Sequence, residues 1–176
     1  DDSISAGGGD DIIIYTSGND VIYGYNSNHG SDTLDLSQYA SDEVTFGVSG
    51  LDVLIATPDG QITLHRQVQY EVGHHRTNLE SITFSDGTLD DTGIRDRAVN
   101  DAATSGGDQL VGTNYDDIIV GDEGDDLLTG NDGADIFEFV VGDGTDTITD
   151  FTYGIDMIRF AGGHAGYADL TITQVG

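Results

Sequence analysis

The 176-residue chain contains no cysteine, no lysine and a single proline, at position 58. The absence of cysteine excludes a disulfide framework and any thiolate metal site, and leaves the compartment open. The absence of lysine leaves five arginines as the only permanent cations, against 33 acidic residues. A net charge of −28 excludes nucleic acid and anionic membrane surfaces as direct partners. No apolar run approaches the roughly 18 residues of a membrane span, so no membrane insertion is expected. No basic-plus-apolar leader opens the chain. Neither G-x-S-x-G nor H-E-x-x-H occurs, and nothing in these residues supports an enzyme. The first residue is Asp rather than Met, and the chain is expected to be a piece of a longer protein.

What is present in excess is aspartate and glycine. Only five of the acids are Glu (43, 71, 80, 123 and 138), and glycine occurs 26 times. Aspartate suits turns and short-armed metal coordination better than helices, while glycine serves backbone positions that other residues occupy only at a cost. A compact state of this charge repels itself unless cations are bound.

The aspartates recur with a period of nine. GTNYDDIIV (112–120), GDEGDDLLT (121–129) and GNDGADIFE (130–138) align with Asp117, Asp126 and Asp135 at position six. Ile119, Leu128 and Phe137 then fall at position eight. Asp108 with Leu110 and Asp146 with Ile148 are flanking partial units, the second after a two-residue insertion. The N-terminal region does the same in AGGGDDIII (6–14) and YTSGNDVIY (15–23), preceded by Asp2 and Ile4. A stretched unit follows, carrying the inserted NSNHG and ending at Asp32 and Leu34.

Positions one to six read as a Gly/Asp turn, and seven to nine as a short strand with one inward apolar residue. Strand–turn–strand–turn gives eighteen residues per coil, so turns two units apart stack about 4.8 Å from each other. Stacked aspartates repel unless a cation lies between them. Calcium suits such a site, because it accepts six to eight oxygen ligands, carbonyls included, in irregular geometry, whereas magnesium demands a tighter octahedron. The stacking pairs Asp2 with Asp20, Asp11 with Asp32, Asp108 with Asp126, Asp117 with Asp135, and Asp126 with Asp146. That gives about five Ca²⁺, which would bring the charge to −18. Asn114, Glu123 and Asp132 at position three are candidate extra ligands. Gly7, Gly9, Gly18, Gly112, Gly121, Gly124, Gly130 and Gly133 are expected to turn the loop carbonyls toward the ions.

The pattern resembles the nonapeptide G-G-x-G-x-D-x-U-x of the RTX (repeats-in-toxin), haemolysin-type calcium-binding family. The resemblance covers roughly 1–36 and 104–150, with departures from Gly at Tyr15, Thr16 and Thr113. It implies an all-β fold, a parallel β-roll in two blocks (1–36 and 104–150). Between them lies a β-rich insert (37–103), and a truncated C-terminal capping segment follows (151–176).

The insert reads as antiparallel β: EVTFGV (43–48), DVLIAT (52–57), QITLHR (61–66) and LESITF (79–84), with turns at 49–50, 58–60 and 85–88. Its order resembles the haemolysin-type calcium-binding related insert, whose implied role is to continue or cap the roll. Arg66, Arg76, Arg95, Arg97, His65, His74 and His75 fall here, beside Glu71 and Glu80. A zinc or substrate site is one reading of them. Adjacent histidines point in different directions and no ligand spacing recurs, so the reading adopted is a polar loop whose arginines pair with roll aspartates. In the tail, GDGTDTITDF, GIDMIRF (154–160) and LTITQV (170–175) resemble post-repeat capping strands, in which Asp150 and Asp156 bind a further ion or cap turns.

The function implied is a calcium-binding module of a secreted bacterial protein, a monomer. It is disordered at low calcium, and folds outside the cell after passing a type I secretion machinery. The alternative is a binding module of an adhesin or a polysaccharide-modifying enzyme. That reading needs an exposed stripe, for which Tyr15, Tyr23, Tyr25 and the arginines of the insert are the candidates. No Asp-Pro bond of the kind cut by self-cleaving RTX modules occurs; the sole proline follows Thr57. These residues leave open whether a longer parent carries a catalytic or toxin domain.

Overall fold

In the computed structural model, residues 1–23, 30–65, 67 and 79–162 are described. The chain is mostly β, with parallel sheets and one α-helix among these residues. Each nonapeptide supplies a short strand around its position eight, three residues long at Ile12–Ile14, Ile118–Val120 and Leu127–Thr129, four at Ile136–Phe139 and six at Gly18–Tyr23, which already includes Asp20.

In the first half, β1 (Ser3–Ser5), β2 (Ile12–Ile14), β3 (Gly18–Tyr23) and β4 (Thr33–Leu36) alternate between two sheets. β1 pairs in parallel with β3 and β2 with β4, setting Ile4 beside Ile22 and Ile13 beside Leu34. Position eight is buried in the full units and half-buried at Ile4 and Ile148 of the partial ones, while Ile12 and Ile14, on either side of Ile13, are 71% and 68% exposed. Period-two alternation therefore sorts three consecutive isoleucines.

The following segment extends these same sheets. A single 3-10 turn (Ser41–Glu43) leads into an antiparallel meander of β5 (Thr45–Ser49), β6 (Asp52–Thr57) and β7 (Gly60–His65). β7 lies parallel against β3. β8 (Ser81–Phe84) lies parallel against β4, placing Ile82 on Leu34, and turns back into β9 (Thr88–Asp90).

Helix α1 (Asp91–Asn100) is an element that the reading of the β-rich insert as antiparallel β did not include. Asp90 caps it by accepting the Gly93 amide at 2.8 Å, and Arg97 lies in its last turn, where a cation suits the helix dipole. DTGIRDRAVN has Thr, Gly and Val among its ten residues and few strong helix formers, so burial of Ile94, Ala98 and Val99, not propensity, holds it. Ile94 and Ala98 join the core of the first half, whereas Val99 joins Leu110, Ile119, Leu128 and Phe137 in a second core.

That second core lies between two three-stranded parallel sheets. β10 (Gln109–Val111), β12 (Leu127–Thr129) and β14 (Thr147–Ile148) form one. β11 (Ile118–Val120), β13 (Ile136–Phe139) and β15 (Met157–Phe160) form the other.

Candidate metal centres

Register dictates which acids meet. The Asp126 carboxylate accepts the main-chain amide of Asp108 at 2.9 Å, and the Asp126 amide donates to Asp146 Oδ1 at 3.0 Å. Before the strands of the other sheet, Asp117 N donates to Asp135 Oδ1 at 3.0 Å, and Asp135 N to Asp156 Oδ1 at 3.1 Å. In the first half Asp2 N donates to Asp20 Oδ1 at 2.7 Å and Asp11 N to Asp32 Oδ1 at 3.1 Å. All five pairs read from the sequence thus come together, each through one carboxylate oxygen of the later residue, and Asp156 extends one ladder by a step.

The other oxygen decides the chemistry. Oδ2 of Asp11, Asp126 and Asp135 is buried and has no hydrogen-bond partner. An acceptor out of reach of water and of any donor is costly as it stands. The donor set is wholly oxygen, the preference of a hard cation such as calcium. No three acidic or imidazole side chains converge into a ready-made cage among the described residues. Two carboxylates per site therefore require main-chain carbonyls to complete a coordination shell.

Electrostatics agree. Burial raises the Asp135 carboxyl to a pKa of about 6, and the charges of Asp117, Asp156 and Asp150 push the same way. Burial likewise raises Asp117 and Asp146. Asp117 closes its own turn as well, accepting from the Thr113 amide at 2.6 Å and from its hydroxyl.

The glycines divide into two kinds. Gly7, Gly9, Gly18, Gly124 and Gly133 adopt positive φ, with 149° at Gly124, where a side chain is strained. Gly121 and Gly130 do not; there a Cβ would overlap Oδ2 of Asp126 or of Asp135, so their role is close approach to the carboxylate. Gly112 stands in the same relation to Asp117 Oδ2, 2.9 Å from a Cβ placed on it. At position two, Asp122 and Asn131 take positive φ in place of Gly, as these two residue types do more readily than others.

Asn114, Glu123 and Asp132 are exposed and make no hydrogen bond to the paired acids among the described residues. Position five, passed over in the sequence, forms a second ladder. Asp10, Asp116 and Asp125 accept the amides of Ser31, Ala134 and Thr145 at 2.9, 2.8 and 2.9 Å. The DD doublets were its signal.

The arginines pair differently from expectation. Arg95 pairs with Asp91 and Arg97 with Asp101, both one helical turn away, because α1 sets these residues at i and i+4. Arg95 also stacks on Tyr115, which stands where its repeat would carry Gly. His65 meets Asp52 at 3.0 Å. Tyr15 is buried, its hydroxyl donating to Gly18 O at 2.8 Å, which removes it from any exposed aromatic stripe. Tyr25, Arg66, Glu71, His74, His75, Arg76, most of the NSNHG insertion and LTITQV lie outside the described residues.

The family model for the RTX calcium-binding nonapeptide repeat matches residues 1–22, 16–37 and 103–137, in four copies. Over those residues the stacked turns are RTX calcium-binding repeats. The match takes in the ladder aspartates from Asp2 to Asp32 and from Asp108 to Asp135, while Asp146 and Asp156 lie beyond it, and RTX nonapeptides bind calcium. No curated protein matches the chain. Among solved structures, the chain is similar to the extracellular lipase LipA from Serratia marcescens, at 16% identity and a TM-score of 0.29. That alignment covers 98% of this chain and 33% of the lipase, so the chain spans about a third of that protein's length.

Proposed function

We propose that the chain is a calcium-responsive folding module of a secreted bacterial protein, its two RTX regions wound as parallel β-rolls. The buried, partnerless Oδ2 atoms of Asp11, Asp126 and Asp135 carry this reading. Asp2/Asp20, Asp11/Asp32, Asp108/Asp126, Asp117/Asp135 and Asp126/Asp146 would hold about five ions, and Asp135/Asp156 is a sixth candidate pair. Bound calcium supplies the positive charge that lets stacked carboxylates stay ionised inside the fold.

The protein's own residues supply the switch. Without cations, the −28 charge and 26 glycines oppose compaction. Binding free energy then becomes folding free energy. Extracellular calcium modules work at roughly 10⁻⁴–10⁻³ M, far above cytosolic free calcium. The chain would be unfolded where a narrow type I channel must pass it and folded outside, stabilising whatever it is attached to as a monomeric unit.

The deciding experiment is a calcium titration followed by far-UV circular dichroism, with magnesium as control. A cooperative coil-to-β transition at about millimolar calcium, absent with magnesium, is expected. A chain fully folded in chelator would overturn the regulated-folding account.

A further inference from the structure

A glutamate outside both repeat regions continues the first calcium ladder. Glu80 sits 48 residues beyond Asp32, yet the Asp32 amide donates to Glu80 Oε2 at 2.6 Å. This is the relation that joins Asp11 to Asp32 one coil below. In return Asp32 O accepts the amides of Glu80 and Ser81 at 3.1 and 3.2 Å. The register behind it is that of a repeat, with Thr33 beside Ser81 and Leu34 beside Ile82. Glu80 and Ile82 are thus an acid followed two residues later by an inward aliphatic, the position-six and position-eight spacing of a nonapeptide.

The independent sign of a ligand is Glu80 Oε1. It is buried and has no hydrogen-bond partner, like Oδ2 of Asp126 and Asp135 in the repeats. Asp32 itself is almost wholly enclosed, and no arginine pairs with either residue among the described ones. Leaving that oxygen charged and unmatched beside a second carboxylate is unfavourable. A short hydroxyl pair, Thr33 Oγ1 to Ser81 Oγ at 2.8 Å, ties the two strands just beyond the acids and holds them stacked.

We propose that Asp32 and Glu80 bind a further calcium ion, carrying the metal ladder out of the nonapeptides and into the segment that follows them. This rests on the reading of the repeats as calcium sites. The longer glutamate arm goes with a sequence, HRTNL at 75–79, that lacks the nonapeptide's glycines. The ion would clamp Ser81–Phe84 to the roll, so that folding of the first repeat region and of the insert share one ligand.

The test is a crystal of the whole chain grown with calcium and exchanged with Tb³⁺, whose anomalous scattering locates each site. A peak at about the 2.3–2.6 Å of calcium–oxygen coordination from Glu80 Oε1 is expected, alongside peaks at the Asp126/Asp146 and Asp117/Asp135 pairs. Peaks at those pairs and none at Glu80 would overturn this inference and leave the repeat reading standing. No peak anywhere would overturn both. In solution, calorimetric titration of Glu80→Gln should count one ion fewer than the parent chain. An unchanged count in Glu80→Gln overturns the proposal. The crystal requires no substitution, so a folding failure of the variant leaves the decision with the anomalous map.

Discussion

Asp135 lies 18 residues beyond Asp117, its Oδ1 taking the Asp117 amide at 3.0 Å while its Oδ2 stays buried and unpartnered. The pair is stable only if something neutralises it, a proton or a cation, and the two must compete. The folded-state pKa of Asp135 is about 6, above the ordinary 3.8. Protonation therefore stabilises the metal-free fold fully below about pH 4, and that contribution is lost as pH rises through about 6. Asp117 and Asp146 act in the same direction. In chelator, circular dichroism should report more β structure at pH 5 than at pH 7.5. The calcium midpoint should rise over the same acid range, and a midpoint indifferent to pH would contradict the competition.

Asp126 belongs to two pairs, with Asp108 on one side and Asp146 on the other. Asp126→Asn should raise the calcium midpoint of the second region more than Asp108→Asn, which touches one pair. An increase of about tenfold corresponds to ~1.4 kcal/mol, within the worth of one charge-assisted contact. Calorimetry of the two variants side by side checks the order.

Gly130 and Gly47 separate packing from backbone freedom, since neither has positive φ. A methyl on Gly130 would overlap Asp135 Oδ2 and lie 3.2 Å from Phe137 Cζ, whereas one on Gly47 meets nothing within 4 Å. Gly130→Ala should cost about 1–3 kcal/mol, the usual price of overpacking. Gly47→Ala should change stability by less than about 0.5 kcal/mol. Thermal unfolding at saturating calcium distinguishes them.

Asn100 closes the outer edge of β11 with its side chain. Its Nδ2 donates to Ile118 O at 2.7 Å and its Oδ1 accepts the Val120 amide at 2.9 Å, as a neighbouring strand's peptide would. Asn100→Ala leaves both main-chain groups without these partners, at a cost of about 1–3 kcal/mol for each that stays buried. The ion count should be unchanged and the melting temperature lowered. Loss of an ion in this variant would show that the helix end belongs to a metal site instead.

The nine-residue period by itself determined the short strands, the burial of Ile13, Leu34, Ile119, Leu128 and Phe137, and the pairing of aspartates two units apart. Those relations are local: eighteen or so residues of regular spacing carry the acid of one turn onto the next, with no knowledge of the rest of the chain. The position-five ladder was legible on the same terms, in the doublets at 10–11, 116–117 and 125–126. The tertiary structure alone decided that Glu80 stacks on Asp32, that α1 contributes to two cores, and that Asn100 stands in for a strand. Each depends on where a long, aperiodic excursion returns. That place is set by burial of Ile82, Ile94 and Val99 against surfaces distant in sequence, and no spacing rule within the segment encodes it.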